Sequence, residues 1–194
     1  MKPVAVLLLV AAACAAPPAD VGDGGEIVNA WIGLRRQDDF AGWAPNDDLP
    51  QAALEYAAGP PDSPWRWDFF LAYAADRSRR LVGGSRENLD SHFVDLGLGP
   101  LLLLPAPVPG LRPYAGAGAA LLWMQADRRA AGAVATDQDA TFGGYLRAGL
   151  LADFRPGEHI GLDLRWTGAG RADLGGPSRG TGAWSLSLVF GYRF

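Results

Sequence analysis

The last eleven residues of the chain, Trp184 to Phe194, alternate strictly between two kinds of side chain. Every second residue is large and apolar, namely Trp184, Leu186, Leu188, Phe190, Tyr192 and Phe194. The residues between them are small or polar. Side chains of a β-strand point alternately to its two faces, so this period of two predicts a strand with one apolar face and one polar face.

The same alternation recurs along the chain and predicts an all-β protein of eight strands. The ranges that show the pattern are Glu26–Gln37, Gln51–Ala58, 65–74, Leu89–Leu104, Leu111–Gln125, Thr141–Phe154, 160–166 and Trp184–Phe194. In the third range, for example, Trp65, Trp67 and Phe69 alternate with Arg66 and Asp68. Such segments are short and carry alternating hydrophobicity, as the strands of membrane barrels do.

The connections between these strands alternate in length. The long ones cover 38–50, 76–88, 127–140 and 168–183, and the short ones cover 59–64, 105–110 and 155–159. Short periplasmic turns and longer extracellular loops produce this rhythm in an antiparallel up-and-down barrel whose two termini are periplasmic. The expected fold is therefore an eight-stranded transmembrane β-barrel.

The second face of the predicted strands carries charges of both signs in equal number. Its acidic residues are Glu55, Asp68, Asp95, Asp153 and Asp163, and its basic residues are Arg35, Arg66, Arg147, Arg165 and Arg193. Unpaired charge is costly in a confined space, so a balanced set predicts an ion-paired network in the lumen. Glycines on this face, such as Gly97, Gly116 and Gly149, are expected to make room for these long side chains. Since eight strands enclose just enough space for side chains, the lumen is predicted to be plugged.

Aromatic residues cluster near the predicted strand ends. Trp65, Trp67 and Tyr192 are expected on the periplasmic side, and Trp123, Trp166 and Trp184 on the outer side. Two interfacial girdles of this kind flank the apolar band of a membrane barrel.

The chain ends on an aromatic residue, Phe194, with another aromatic, Tyr192, two positions before it. This ending resembles the closing strand of bacterial outer-membrane β-barrels, in which the two aromatics serve as an assembly signal. The run Arg112-Pro113-Tyr114 is followed by alternating Gly and Ala, which is also similar to small outer-membrane barrels. Over residues 26–194 the chain thus resembles the small eight-stranded outer-membrane β-barrel family, of the OmpA/OmpX type and porin-like in location.

The resemblance implies a location in the bacterial outer membrane and a role without catalysis. Envelope integrity, surface interaction and limited permeability remain open as functions. The implied partners are outer-membrane lipid, lipopolysaccharide and the barrel-assembly machinery, the implied state is a monomer, and no cofactor or metal is implied.

The first 16 residues are predicted to be a signal peptide, and residues 17–25 a periplasmic linker. Lys2 provides the positive end, an apolar centre follows, and Ala13-Cys14-Ala15 forms a small-x-small cleavage site. Cys14 is the only cysteine, which excludes an intramolecular disulfide. Lipidation of Cys14 is an open alternative.

Charge and hydropathy exclude two classes of protein. The chain has 17 Lys and Arg against 21 Asp and Glu, a net charge of −4. Nucleic-acid-binding proteins concentrate positive charge instead, so nucleic acid is not an expected partner. No run of 18 apolar residues occurs, which excludes a transmembrane helix.

Two alternatives of another kind remain open. His92 and Ser91 near the outer end of a strand resemble part of the site of the lipid A 3-O-deacylases, which are also eight-stranded barrels. Adjacent residues of a strand point to opposite faces, however, so these two side chains are not expected to meet, and no catalytic residue is predicted. The second histidine, His159, is expected to be a solvated turn residue. The other alternative is a soluble periplasmic lipid-binding barrel, whose lining would be apolar.

Overall fold

The computed structural model describes residues 25–38, 48–82, 85–105, 108–130, 133–168, 170–173 and 179–194. The predicted signal peptide, most of the linker and Cys14 lie outside these residues. The strands are β1 (Glu26–Gln37), β2 (Asp48–Ala58), β3 (Trp65–Val82), β4 (Ser85–Leu103), β5 (Leu111–Ala130), β6 (Ala133–Arg155), β7 (Glu158–Gly168), β8 (Arg171–Ala172), β9 (Arg179–Gly180) and β10 (Ala183–Arg193).

Eight of these strands close into one antiparallel barrel. Its order is β1-β10-β7-β6-β5-β4-β3-β2, so each barrel strand pairs with the next barrel strand along the chain and the first pairs with the last. β8 and β9, between β7 and β10, form a separate two-stranded ribbon. The predicted fold class and strand number are confirmed. The described part of the chain contains no helix that is long and apolar enough to cross a membrane.

The first and last strands close the barrel. Ile27 pairs with Arg193 at one end of the seam and Gln37 with Ala183 at the other, and the Phe194 N–H donates to the Glu26 carbonyl at 3.0 Å. Both ends of the barrel domain therefore lie at the same mouth, which we call the periplasmic mouth. The seam leaves neither β1 nor β10 with an unpaired edge, which removes a site of edge-to-edge aggregation.

The strands are staggered. A walk around the barrel from each residue to its paired neighbour shows the stagger. It starts at Val28 on β1, passes Gly168 and Gly182, and returns to the end of β1 at Asp38 instead of at Val28. A stagger of this kind requires the strands to tilt against the barrel axis, by about 35–45° in outer-membrane barrels. Tilt sets the barrel radius and hence how many side chains the interior holds.

Alternate residues of each strand point outward, and the outward set is apolar. Exposed large apolar side chains include Ile32, Leu34, Trp67, Phe69, Leu71, Leu98, Leu146, Leu162, Leu164, Leu186, Leu188 and Phe190. We call this outward surface the apolar belt. The intervening residues are buried, among them Arg35, Asp68, Asp163 and Arg165. The faces are thus those that the alternation predicts, with apolar side chains outside and charge inside.

Two of the predicted long loops are wrong. Residues 76–88 continue β3 and β4, which are joined only by 83–84, and residues 127–140 continue β5 and β6, which are joined by 131–132. The ladder runs on with pairs such as Arg77 with Asp90. Backbone hydrogen bonds between strands do not depend on apolar side chains. These extensions therefore lack the alternation of apolar and polar residues from which the strands were predicted. They form two hairpins that rise beyond the apolar belt.

The short connections lie at the periplasmic mouth, as expected. Gly110 and Gly157 have φ of 81° and 78°, a conformation that residues with a Cβ rarely adopt. Each therefore allows a turn that returns the chain directly into the next strand.

Candidate functional site

The centre of the barrel is organised around the guanidinium of Arg147, on β6. Its nitrogens lie 2.9 Å from Glu55 Oε1, 2.9 Å from Asp68 Oδ2 and 2.8 Å from Asp163 Oδ2. These carboxylates come from β2, β3 and β7, so one side chain on β6 ties three other strands together. All four side chains are shielded from solvent, which makes each ion pair less screened than a pair at the surface.

Aromatic side chains complete the surroundings of Arg147. Its Cζ lies 4.7 Å from the ring centre of Trp31 and 4.9 Å from that of Tyr114, within the range of a cation–π contact. The Tyr114 hydroxyl donates to Asp163 at 2.7 Å, and the Tyr145 hydroxyl donates to Asp68 at 3.2 Å. Two of the three carboxylates are therefore held in place by a tyrosine as well as by the arginine.

Arg165 lies in the same layer but is held mainly by aromatic rings. Its Cζ is 3.8 Å from the ring centres of both Trp31 and Phe70, and its guanidinium reaches the carboxylate of Asp163 at a longer distance, 3.4 Å to Oδ1. The layer around Arg147 thus contains two guanidinium groups and three carboxylates.

A second ion pair lies nearer the extracellular end. Arg35 on β1 pairs with Asp95 on β4, and the ring centre of Phe93 lies 5.2 Å from the Arg35 Cζ. At this pair and beyond it, toward the hairpins, fully buried apolar side chains occupy the interior at Leu49, Leu89, Leu122 and Met124, together with the buried polar side chains of Gln37 and Ser91. We call the four apolar residues the apolar cap. They pack between the Arg147 layer and the extracellular end of the lumen.

The periplasmic end holds another polar group. Asp153 accepts from Arg112 Nε at 2.9 Å and from Arg193 at 3.4 Å. His159 Nε2 lies 2.7 Å from Asn29 Oδ1, and the Asn29 amide donates to Glu55 at 3.2 Å. A line of hydrogen bonds therefore leads from this mouth to the Arg147 layer.

The prediction for His159 is wrong. This histidine is 1% exposed and lies on β7, where its ring bonds to Asn29 inside the barrel. The turn before it is only two residues long, Pro156 and Gly157, so His159 already follows the inward alternation of the strand.

Nine of the ten predicted lumen residues make contacts with an opposite charge, and Arg66 is the exception. Arg66 is buried, but its Nη1 donates to the carbonyls of Pro60 at 2.9 Å, of Trp65 at 3.0 Å and of Ser63. These hydrogen bonds hold the proline-rich turn between β2 and β3 in place. Arg112, which was not among the predicted lumen residues, forms an ion pair with Asp153.

Three of the interior glycines accommodate aromatic rings, which corrects the expectation that these glycines make room for charged side chains. A Cβ on Gly97 would lie 2.1 Å from the Phe70 ring, one on Gly118 2.6 Å from Tyr145, and one on Gly149 2.3 Å from Tyr114. Gly116, whose Cβ would lie 3.2 Å from the Arg147 side chain, fits the original expectation. The missed aromatics share the inward phase with the charges, which is the signal that could have found them.

His92 and Ser91 point to opposite sides of β4. Ser91 is fully buried, whereas His92 is partly exposed on the outer surface, where its Nδ1 lies 2.8 Å from the Tyr73 hydroxyl. The expected separation of the two side chains is confirmed. In the described ranges, no group of three or more His, Cys, Asp or Glu residues has an arrangement that would hold a metal ion.

The two terminal aromatics pack on each other at the periplasmic mouth. The ring centres of Tyr192 and Phe194 are 4.9 Å apart at an angle of 61°, and Phe194 is exposed. Their role as an assembly signal stays a prediction.

No protein-family model matches the chain, and no curated protein sequence matches it. Solved structures do match. Ail, the attachment invasion locus protein of Yersinia pestis, in complex with the heparin analogue sucrose octasulfate, superposes with a TM-score of 0.60 at 15% identity, covering 88% of this chain and 99% of that one.

Two further structures agree. Neisserial surface protein A has a TM-score of 0.58 at 14% identity, with 88% and 97% of the two chains covered. A major outer membrane protein from Thermus thermophilus has a TM-score of 0.57 at 12% identity, with 87% and 99% covered. At these identities the likeness is one of fold. The chain has the eight-stranded architecture of small outer-membrane β-barrels, as its resemblance predicted, and its apolar belt agrees with the predicted location in the bacterial outer membrane.

Proposed function

We propose that this chain is a non-enzymatic barrel of the bacterial outer membrane, with a closed interior, that contributes to the integrity and surface contacts of the envelope. The observation that carries this proposal is the Arg147 layer lying beneath the apolar cap. A buried ion cluster and a hydrocarbon layer in series leave the barrel better suited to structural and surface roles than to passing solutes.

The interior supports a closed barrel for an electrostatic reason. A hydrated ion that entered the lumen would have to displace Arg147 from Glu55, Asp68 and Asp163, and breaking buried pairs of this kind is strongly unfavourable. It would then meet Leu122 and Met124, which offer no polar group to replace its water.

The two long hairpins support a surface role. β3 with β4 and β5 with β6 extend the sheet past the apolar belt, and β4 pairs with β5 as far as Glu87 with Ala130. Four paired strands therefore form one rigid extension outside the membrane. A rigid sheet presents side chains to a partner with little loss of conformational entropy.

The neighbouring folds favour the same class of function. Ail is named an attachment invasion locus protein and is bound to a heparin analogue in the matching structure, and the neisserial protein is named a surface protein. A similar role in surface contact is part of our proposal for this chain, with lipopolysaccharide as a partner in the membrane.

A lipid A-modifying enzyme is the competing function. The nearest candidate group is His92 with Tyr73, because Ser91 faces the interior and does not reach them. A hydrolytic site of this kind needs a nucleophilic side chain within hydrogen-bond reach of the histidine, and a tyrosine hydroxyl beside His92 does not supply the serine of that mechanism. A soluble lipid-binding barrel fits less well still, since that function needs an apolar lining, whereas here the lining carries charge.

Two measurements test the proposal. In planar bilayers the purified barrel should give no large steady conductance, and lipid A from cells with His92→Ala should have the same mass spectrum as lipid A from cells with the parent protein. Steady conductance would contradict the closed interior, and a changed acylation pattern would support the enzyme.

A further inference from the structure

A small cleft lies on the outward face of the sheet that β3, β4 and β5 form beyond the apolar belt. Its volume is about 210 Å³, and it is lined by Arg77, Asn88, Asp90 and Arg129. Arg77 pairs with Asp90 across the strands, and Asn88 pairs with Arg129. Since residues two apart on a strand share a face, the ladder itself places all four side chains on one side of the sheet.

The cleft carries an excess of positive charge. Arg77 Nε donates to Asp90 Oδ1 at 3.0 Å, and the Asp90 side chain is 10% exposed whereas that of Arg77 is 79% exposed. This bond uses one of the three nitrogens of Arg77. Arg129 is exposed; its charge interacts with that of Asp127, but in the described ranges no carboxylate lies within ion-pair distance of it. Within the lining itself, two guanidinium groups therefore stand against one carboxylate.

A second acidic residue, Asp127, lies beside the cleft and interacts with the charge of Arg129, but its hydrogen bonds are made outside the lining. Asp127 pairs with Asp90 across β4 and β5, but its oxygens accept from the Gln125 amide at 3.0 and 3.2 Å. Asn88 adds an amide group to the lining. The donors of the cleft thus remain in excess over its acceptors.

The height of the cleft matches the polar layer of a membrane. Tyr73 and His92, whose rings stack and share a hydrogen bond of 2.8 Å, mark the edge of the apolar belt on β3 and β4. Asp90 and Asn88 precede His92 by two and four residues, which is about 7 and 13 Å along the strand toward the hairpin end. Lipid headgroups begin directly outside the hydrocarbon.

From this geometry we infer that the cleft binds a sugar-linked phosphate monoester of lipopolysaccharide. Arginine presents paired donors that match phosphate oxygens, and two arginines with an amide supply the donors that such a group accepts. Free phosphate has the same chemistry, but only the lipid-borne group is held at this height by its acyl chains. The inference deepens the proposed function and rests on the location in the outer membrane.

Lipid A binding by the refolded full-length barrel in detergent micelles tests the inference. The probes are bisphosphorylated lipid A, the same lipid A after removal of both phosphates, and inorganic phosphate. The variants are Arg129→Gln, Arg77→Gln and the control Arg155→Gln. Arg155 is an exposed arginine at the opposite mouth, 3.7 Å from Glu158.

Arg129→Gln should weaken binding of bisphosphorylated lipid A by about tenfold, the size expected for one charge-assisted contact, and Arg155→Gln should not. Phosphate-free lipid A should bind more weakly and equally to all variants. Equal affinity of the parent and Arg129→Gln for bisphosphorylated lipid A would overturn the site, as would an equal loss with Arg155→Gln. Binding of inorganic phosphate without preference for phosphorylated lipid A would overturn the lipid assignment. Conductance and lipid A mass spectra, which test the proposed function, do not depend on these residues.

Discussion

The guanidinium of Arg147 lies 2.9 Å from the carboxylate of Asp68, and neither side chain is exposed to solvent. The two residues are 79 positions apart in the chain and come from β6 and β3, on strands that do not pair. Their contact therefore crosses the lumen. It links two strands that are not adjacent, in addition to the backbone hydrogen bonds that link neighbouring strands.

Arg147→Met is expected to destabilise the barrel strongly. The substitution leaves Glu55, Asp68 and Asp163 buried without their common cation, and removing one partner of a buried pair costs about 3–5 kcal/mol. Urea unfolding in detergent micelles measures the change. Arg155→Met, at the exposed end of β6, is the control and should change the unfolding free energy by about 0.5 kcal/mol or less. Similar losses for both variants would contradict a central role for Arg147.

Asp68→Asn and Asp95→Asn are expected to differ although both neutralise a buried carboxylate. The Arg147 layer has three carboxylates for two arginines, so Asp68→Asn removes surplus negative charge and should cost about 1 kcal/mol or less. Asp95→Asn leaves Arg35 without its carboxylate and should cost about 3 kcal/mol or more. The same unfolding assay compares them. If Asp68→Asn were the more damaging of the two, the charge balance assigned to the layer would be wrong.

Leu164→Arg should impair the barrel because Leu164 faces outward in the apolar belt. An arginine near the midplane of the bilayer costs about 2–4 kcal/mol. Val134→Arg is the matched control, since Val134 is also exposed but lies on the hairpin beyond the belt. Folding into lipid vesicles, followed by the shift in gel mobility on heating, should be reduced for Leu164→Arg alone. Unimpaired folding of Leu164→Arg would contradict the assignment of this face to lipid.

Gly97→Ala should destabilise the interior by crowding. The added methyl group would lie 2.1 Å from the Phe70 ring, and overpacking of this kind costs about 1–3 kcal/mol. Gly180→Ala is the control, because a Cβ there meets nothing within 4 Å. The difference between their unfolding free energies measures the effect, and its absence would show that the ring moves freely.

The alternation of side chains was enough to predict the barrel, its eight strands and the two faces. Side chains alternate between the two faces of any β-strand because of its backbone geometry. A strand with one apolar and one polar face is therefore visible in the sequence itself, as in Trp65–Tyr73. The extended hairpins could not be predicted in the same way. Beyond the apolar belt the outward face of a strand is polar as well, and residues such as Arg77 and Asp90 then resemble a loop in the sequence.

The individual contacts of the lumen also lie beyond the sequence. Inward phase predicts that Arg66 and Arg147 both enter the barrel, but only the position of the turn after β2 decides that Arg66 meets carbonyl groups instead of a carboxylate. Likewise Arg112 reaches Asp153 across β5 and β6 because of the register of that pair, which the strand patterns leave open.

The central claim is that apolar side chains face lipid and polar side chains face a closed interior. Spin labels at Leu188→Cys and Ser187→Cys test it most directly, since these neighbours on β10 are exposed and buried respectively. In bilayers, the label at position 188 should be accessible to oxygen, which dissolves in lipid, and the label at 187 should be accessible to neither oxygen nor a water-soluble nickel chelate. High accessibility of position 187 to the chelate, or of position 188 to the chelate but not to oxygen, would contradict the account.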